Sequence, residues 1–253
     1  MEFTKAFETI KANGIEANLV TVNKNGVKKQ GITVGSGTIR PTIYEEHVEF
    51  IQSEYRLMQF INGILEDIPD ISIEQIVTKE FALEHCVTRL QRPTDAPIVK
   101  RNFLDLEEYV VVDIPDEGSY KVTPQMLEQW EITDDEFFNK AKANGWGDFE
   151  AMGIGEIVDI PDNFGGMVVI SKKSHHYGAV VMTYLENVFK DKGEYYILPS
   201  SIHEFIMMPA KYVEDVDILR NMVKEVNDET VDPQDLLSYS VYYFDGETLK
   251  IAE

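Results

Sequence analysis

The stretch Tyr195-Tyr196-Ile197-Leu198-Pro199-Ser200-Ser201-Ile202-His203-Glu204-Phe205-Ile206-Met207-Met208 sets two apolar runs of strand length, Tyr195 to Leu198 and Ile202 to Met208, around a Pro-Ser-Ser turn. That is the pattern of an antiparallel pair joined by a short connection. Working outward, the same signal recurs. Val241 to Phe244 and Thr248 to Ile251 flank Asp245-Gly246, Leu106 to Ile114 and Tyr120 to Val122 flank Pro115-Asp116-Glu117-Gly118, and Ala17 to Val22 and Gln30 to Val34 flank Asn23-Lys24-Asn25-Gly26. Met167 to Ser171 reads as a further strand.

Helical signals lie between these hairpins. Phe3, Phe7 and Ile10 recur at helical spacing before Gly14, and Val48, Ile51, Tyr55, Met58, Ile61 and Leu65 mark one stripe of a long helix. Ser72 and Gln75 have capping-box spacing at the head of a helix expected to run to about Leu90. Thr123-Pro124 places proline at a first helical position, and Thr133 with Glu136 forms another capping box. Gly178 to Phe189, Tyr212 to Val226 and a segment capped by Asp232-Pro233 complete the helices. Hairpins mixed with helices, without regular strand-helix alternation, predict an α+β fold of antiparallel hairpins and sheets packed with helices. The two prolines of Gln91-Arg92-Pro93-Thr94-Asp95-Ala96-Pro97 suggest a boundary. It gives an N-terminal lobe over 1–92 (hairpin plus two long helices) and a C-terminal lobe over 98–253, with a single domain as the alternative.

Composition excludes several functions. The chain has 253 residues with 45 acids against 23 bases, a net charge of −22. So few cations argue against neutralising many phosphates or settling on an anionic membrane, so neither direct nucleic-acid binding nor membrane association is expected. At 43% hydrophobic residues the chain can build a real core. Its one cysteine, Cys86, permits no intrachain disulfide. The acids of the opening residues do not suit a secretory leader, no apolar run approaches a membrane span, and a cytoplasmic location is the expectation. The charge is regional: residues 103–164 hold sixteen acids and three lysines.

No phosphate-binding lysine loop, dinucleotide fingerprint, nucleophile elbow or zinc-helix motif occurs, and no cofactor is called for. Two segments could carry chemistry. Lys172-Lys173-Ser174-His175-His176 follows a strand and precedes a helix start, where backbone N–H groups attract anions. The alternative there is a solvated turn in which Ser174 caps the helix. In the second segment, strand alternation puts Glu204 with Ile202, Ile206 and Met208 on one face, and His203 with Phe205 and Met207 on the other. An acid and an imidazole among apolar neighbours need partners or a purpose. Ser200 or Ser201 with His203 invites a hydrolase reading, which requires nucleophile and base in contact. His175, His176, His203 and Glu204 supply ligand types that suit zinc, although adjacent histidines diverge and no helical histidine pair is present. Cys86 is expected to be buried and inert.

Gly31-Ile32, Ile39-Arg40-Pro41-Thr42-Ile43-Tyr44 and above all Tyr196-Ile197-Leu198-Pro199-Ser200-Ser201-Ile202-His203-Glu204, together with Leu219 to Asn227 and Ser238 to Tyr243, resemble a bacterial family known as domain of unknown function 5688. The resemblance extends over nearly the whole chain. It implies an architecture and draws attention to Ser200, Ser201, His203 and Glu204, but it brings no activity with it. The expectation is a module that binds another protein or a small anionic ligand. The rivals are a hydrolase using Ser201, His203, Glu204 and the His175-His176 loop, and an acidic mimic of nucleic acid.

Overall fold

A computed structural model of the protein describes residues 1–37, 39–68, 72–115, 117–157, 166–199 and 201–252. The chain forms two compact units, Met1–Val77 and Thr78–Glu253. In the first, α1 (Phe3–Ala12) leads to β1 (Ala17–Lys24), β2 (Val27–Val34) and β3 (Thr42–Tyr44), then to α2 (Glu45–Glu49), α3 (Glu54–Glu66) and α4 (Ile73–Ile76). The β1–β2 hairpin turns at Asn25 and Gly26, both at positive φ (48° and 85°), the backbone that a two-residue turn between twisted strands requires. Ile10, Ile32, Ile43, Leu57 and Ile61 are fully buried and fill this unit's core. The apolar stripe from Val48 to Leu65 is not one helix. Ser53 interrupts it by capping α3, its hydroxyl accepting from the Arg56 N–H at 3.3 Å.

The second unit runs α5 (Lys79–His85), β4 (Cys86–Gln91), β5 (Lys100–Phe103), β6 (Leu106–Ile114), β7 (Gly118–Lys121), α6 (Pro124–Trp130), α7 (Asp134–Gly145), β8 (Glu150–Gly153), α8 (Ile154–Ile157) and β9 (Val168–Ser171). A 3₁₀ helix over Gly178–Tyr184 continues into α9 (Leu185–Val188). Then come β10 (Tyr195–Leu198), β11 (Glu204–Pro209), a 3₁₀ turn over Ala210–Tyr212, α10 (Val216–Thr230), β12 (Tyr242–Phe244) and β13 (Leu249–Ile251). Among the described residues every sheet is antiparallel, and the protein is α+β. β4 lines one edge of β6, and β5 and β7 share the other edge end to end. The larger sheet has the order β13-β12-β10-β11-β9-β8.

The helix expected from Ser72 to Leu90 is corrected by this topology. The segment forms two short helices, α4 and α5, of which the second starts anew at a Thr78 cap and ends at His85, and Cys86–Gln91 is a strand that buries Cys86, Thr88 and Leu90 in alternation. Residues 91–97 therefore connect two strands that both pair with β6. The segment after Asp232 is a turn and not a further helix. Caps elsewhere form as read. In α7 the Glu136 N–H meets the Thr133 hydroxyl at 3.3 Å, and the Thr133 hydroxyl (2.6 Å) and N–H (3.0 Å) both lie against the Glu136 carboxylate, holding that carboxyl below its usual range.

Two layers of packing complete the second unit. Val110 and Val112 of β6 press on Phe137, Phe138 and Ala141 of α7. Ile170, Ile197, Phe205, Met207, Tyr242 and Phe244 press one face of the larger sheet onto the 3₁₀ helix Gly178–Tyr184. Asp105, at the turn between β5 and β6, joins the two sheets. Its carboxylate accepts from the hydroxyls of Ser238 (2.7 Å), Ser240 (2.9 Å) and Tyr242 (2.6 Å). Among the described residues no helix is long and apolar enough to cross a membrane.

Cys86 is fully buried, and burial pushes its thiol up to about 11. A buried, neutral thiol is a poor nucleophile. A disulfide reagent such as DTNB at mildly alkaline pH is expected to leave the native protein unlabelled and to titrate one thiol per chain once denaturant is added. Rapid labelling of the native protein would contradict this burial.

Candidate functional site

β9 and β11 pair with Ser171 opposite Glu204 and Val168 opposite Met207. This places the loop after Ser171 beside the residues before Glu204. The His203 carbonyl accepts from the Gly178 N–H at 2.8 Å and from the Ser171 hydroxyl at 2.9 Å. A Cβ on residue 178 would overlap the Lys172 nitrogen, the Ser171 Cα and that carbonyl, all backbone atoms, so the crossing demands glycine. Just before it, His175 and Tyr177 both adopt left-handed backbone with φ of 57°. Each costs about 1–2 kcal/mol for a residue with a Cβ.

His203 lies ahead of β11 and not within it. Ile202 gives its N–H to the Asp235 carbonyl at 2.8 Å and Ser201 bridges to Leu236, so neither extends the strand. Strand alternation begins at Glu204, which is exposed, while Phe205 and Met207 enter the core. The expectation of an acid and an imidazole each set among apolar neighbours on a strand is thereby corrected: Glu204 is exposed and His203 is half-buried ahead of the strand. His203 Nδ1 accepts from the Tyr177 N–H at 3.3 Å, and Nε2 lies 3.7 Å from the Asp235 carboxylate. The Ser201 hydroxyl accepts from the His203 backbone N–H at 3.0 Å. Among the described residues no hydrogen bond joins the His203 ring to the Ser201 hydroxyl: Nδ1 is occupied by the Tyr177 N–H and Nε2 faces Asp235. Ser200 lies outside the described residues.

The two loop histidines diverge. The His176 ring stands edge-on to His203 with centroids 5.4 Å apart, whereas His175 Nδ1 sits 3.2 Å from the Glu150 carboxylate. Among the described residues no three His, Cys, Asp or Glu side chains gather as metal ligands. Lys172 is buried, which draws its ammonium below its usual range against the opposing pull of Asp148 and Asp113. Lys173, Ser174, His175 and His176 are exposed. The loop's backbone donors are engaged within the fold: His175 N–H to the Lys172 carbonyl, His176 N–H to the Ser174 hydroxyl, Tyr177 N–H to His203, and Gly178 N–H to the His203 carbonyl. These four N–H groups are thus held within the fold. Behind the loop, the Arg89 guanidinium stacks 3.7 Å from the Tyr177 ring centroid and pairs with Asp113.

The other face of the larger sheet carries a different constellation. Tyr196, Tyr243 and Lys250 stand in register across β10, β12 and β13. The two tyrosine rings lie 5.2 Å apart at 57°, and the Lys250 ammonium is 5.4 Å from the Tyr243 centroid. The Tyr243 hydroxyl donates to Glu194 at 2.8 Å, and this hydrogen bond pushes its own pKa up to about 12. These residues and Lys211 line an open groove of about 550 Å³. Among the described residues neither Lys211 nor Lys250 forms an ion pair. The sequence did carry a signal for this groove: Tyr195-Tyr196 and Tyr242-Tyr243 are aromatic doublets in strands, and alternation must send one member of each away from the core.

The second unit is therefore an antiparallel α+β module with its chemistry spread over one loop crossing and one sheet face. The model of the family of unknown function DUF5688 matches residues 96–246, and the chain belongs to that family. The match lies wholly within the second unit, so Gly31-Ile32 and Ile39 to Tyr44, read as part of the same resemblance, fall outside it. No curated protein and no solved structure matches the chain.

Substituting Gly178→Ala should destabilise the protein by about 2–3 kcal/mol or more, because the added methyl meets backbone on every side. Lys173→Ala, on the exposed part of the same loop, should leave the urea midpoint within about 0.5 kcal/mol of wild type. Equal midpoints for the two variants would disprove the close approach at residue 178.

Proposed function

We propose that the protein is a small-ligand-binding module that takes a planar aromatic anion in the groove floored by Tyr196 and Tyr243. The observation that carries this reading is a pair of lysine ammonium groups, Lys211 and Lys250, free of ion pairs and lining a groove with a two-tyrosine floor. Tyrosine faces favour planar π systems, and an ammonium beside such a surface favours a carboxylate on the stacked ligand. On a chain of net charge −22, most of the surface repels anions. A local cationic groove therefore selects where an anion can settle. Glu194, held by the Tyr243 hydroxyl, closes one part of the lining with negative charge and favours a ligand charged at one end only.

The magnitudes suit a modest binder. Stacking at about 0.5–1.5 kcal/mol per ring and two screened charge contacts of up to about 1 kcal/mol each sum to about 1–5 kcal/mol, which corresponds to a Kd of about 1 mM or weaker for most of that range. A second copy of the module, or a ligand with more contacts, would tighten this. The reading needs no nucleophile, metal or cofactor.

Titration calorimetry with 2-naphthoate should show one site, with cyclohexanecarboxylate about tenfold weaker because it cannot stack. A Lys211→Ala/Lys250→Ala double variant should bind 2-naphthoate about tenfold more weakly, while His203→Ala should bind it as wild type does. Equal affinity for the flat and the non-planar acid, or an unaffected double variant, would sink the proposal.

A further inference from the structure

α10 is apolar over more of its circumference than one packed face uses. Leu219 and Val223 are buried against Leu198, Val241 and Ala252, as a helix lying on a sheet requires. A second stripe runs beside them. Ile218, Met222 and Val226, spaced i, i+4 and i+8, are 60%, 39% and 41% exposed. At 3.6 residues per turn these three stand nearly one above another along about two turns of helix. Isolated exposed apolar residues are ordinary, but a continuous stripe of large ones marks a surface that another molecule covers.

Charge around the stripe specifies the occupant. Glu225 and Glu229 lie on the same side of α10 as the stripe, by the helical repeat, and both are exposed. Among the described residues neither forms an ion pair. The helix's own cations are committed elsewhere, Arg220 to Asp217 at 2.6 Å and Lys224 to Asp228 at 2.5 Å. Glu214 and Asp215 add exposed acids just ahead of its first turn. An apolar row edged by unpaired carboxylates is complementary to an amphipathic helix whose apolar face is flanked by lysine or arginine.

We infer that the Ile218–Met222–Val226 face of α10 docks a basic amphipathic helix of a partner protein. The apolar row supplies the buried contact, and Glu225 and Glu229 supply orientation and rate of encounter. A second copy of this chain is disfavoured as occupant, since it would bring the same carboxylates to the same face. The site is separate from the tyrosine groove, on different residues.

The test uses a fluorescently labelled peptide of about 18 residues, five helical turns, with leucines on one face and lysines on the other. Anisotropy should show saturable binding to the full chain. A peptide of the same composition in scrambled order, and one with glutamate in place of every lysine, should each bind at least about tenfold more weakly. An Ile218→Ser/Met222→Ser/Val226→Ser variant should keep its circular dichroism and thermal midpoint yet lose about tenfold in affinity for the amphipathic peptide. Glu225→Gln/Glu229→Gln should lose about threefold and show a weaker salt dependence. The inference is overturned if the scrambled peptide binds as tightly, if the triple serine variant binds within about twofold of wild type, if no saturable binding occurs, or if wild type instead dimerises through this face and the serine variant does not.

Discussion

The carbonyl oxygen of His203 accepts two hydrogen bonds, from the Gly178 N–H and the Ser171 hydroxyl, at a point where three segments cross with no side chain between them. Much of the second unit depends on this contact. It fixes where the 3₁₀ helix Gly178–Tyr184 begins, and that helix places Ala179, Val180, Val181, Met182 and Tyr184 in the unit's main core. Each of these hydrogen bonds is worth only about 1 kcal/mol net, but leaving a buried backbone group unpaired costs about 1–3 kcal/mol. The left-handed backbone at His175 and Tyr177 is sustained by the same junction, through the bond from the Tyr177 N–H to the His203 ring.

With one face of the larger sheet pressed on the 3₁₀ helix, the opposite face is left for α10 at one end and for the groove at the other. Leu198 and Val241 pack under Leu219 and Val223, while Tyr196, Tyr243 and Lys250 remain partly open. Tyr196 and Tyr243 rest against the same cluster as Leu219 and Val223 of α10, and their remaining surface lines the groove. The Asp105 carboxylate, fed by three hydroxyls from residues 238–242, holds the strand that carries Tyr243 in register with the other sheet.

Much of this was legible in the residues. β6 runs over Leu106–Ile114 as read, the hairpins at Asn25-Gly26 and Asp245-Gly246 form, and the α6 and α7 caps sit at Thr123 and Thr133. What failed did so for physical reasons. Leu83 and Val87 have helical spacing, but pairing of Cys86–Gln91 along β6 overrides it. Ile202 and His203 continue an apolar alternation, yet their backbone groups are taken by Asp235 and Gly178, so the strand starts later. The 172–176 loop carries the cations that its sequence displays, with Lys172 buried and the His175 and His176 N–H groups bonded within the loop itself. The groove joins residues from opposite ends of the second unit's last third, and only strand register brings them together.

Native-state amide hydrogen exchange at Gly178 tests the junction most directly. Its N–H, buried and bonded to the His203 carbonyl, is predicted to exchange only through global unfolding, with the same protection as the amides of Ile170 and Phe205 in the adjoining strands. Exchange at Gly178 orders of magnitude faster than at those strand amides would show that the crossing opens on its own, and the fold would then have to be held by something else.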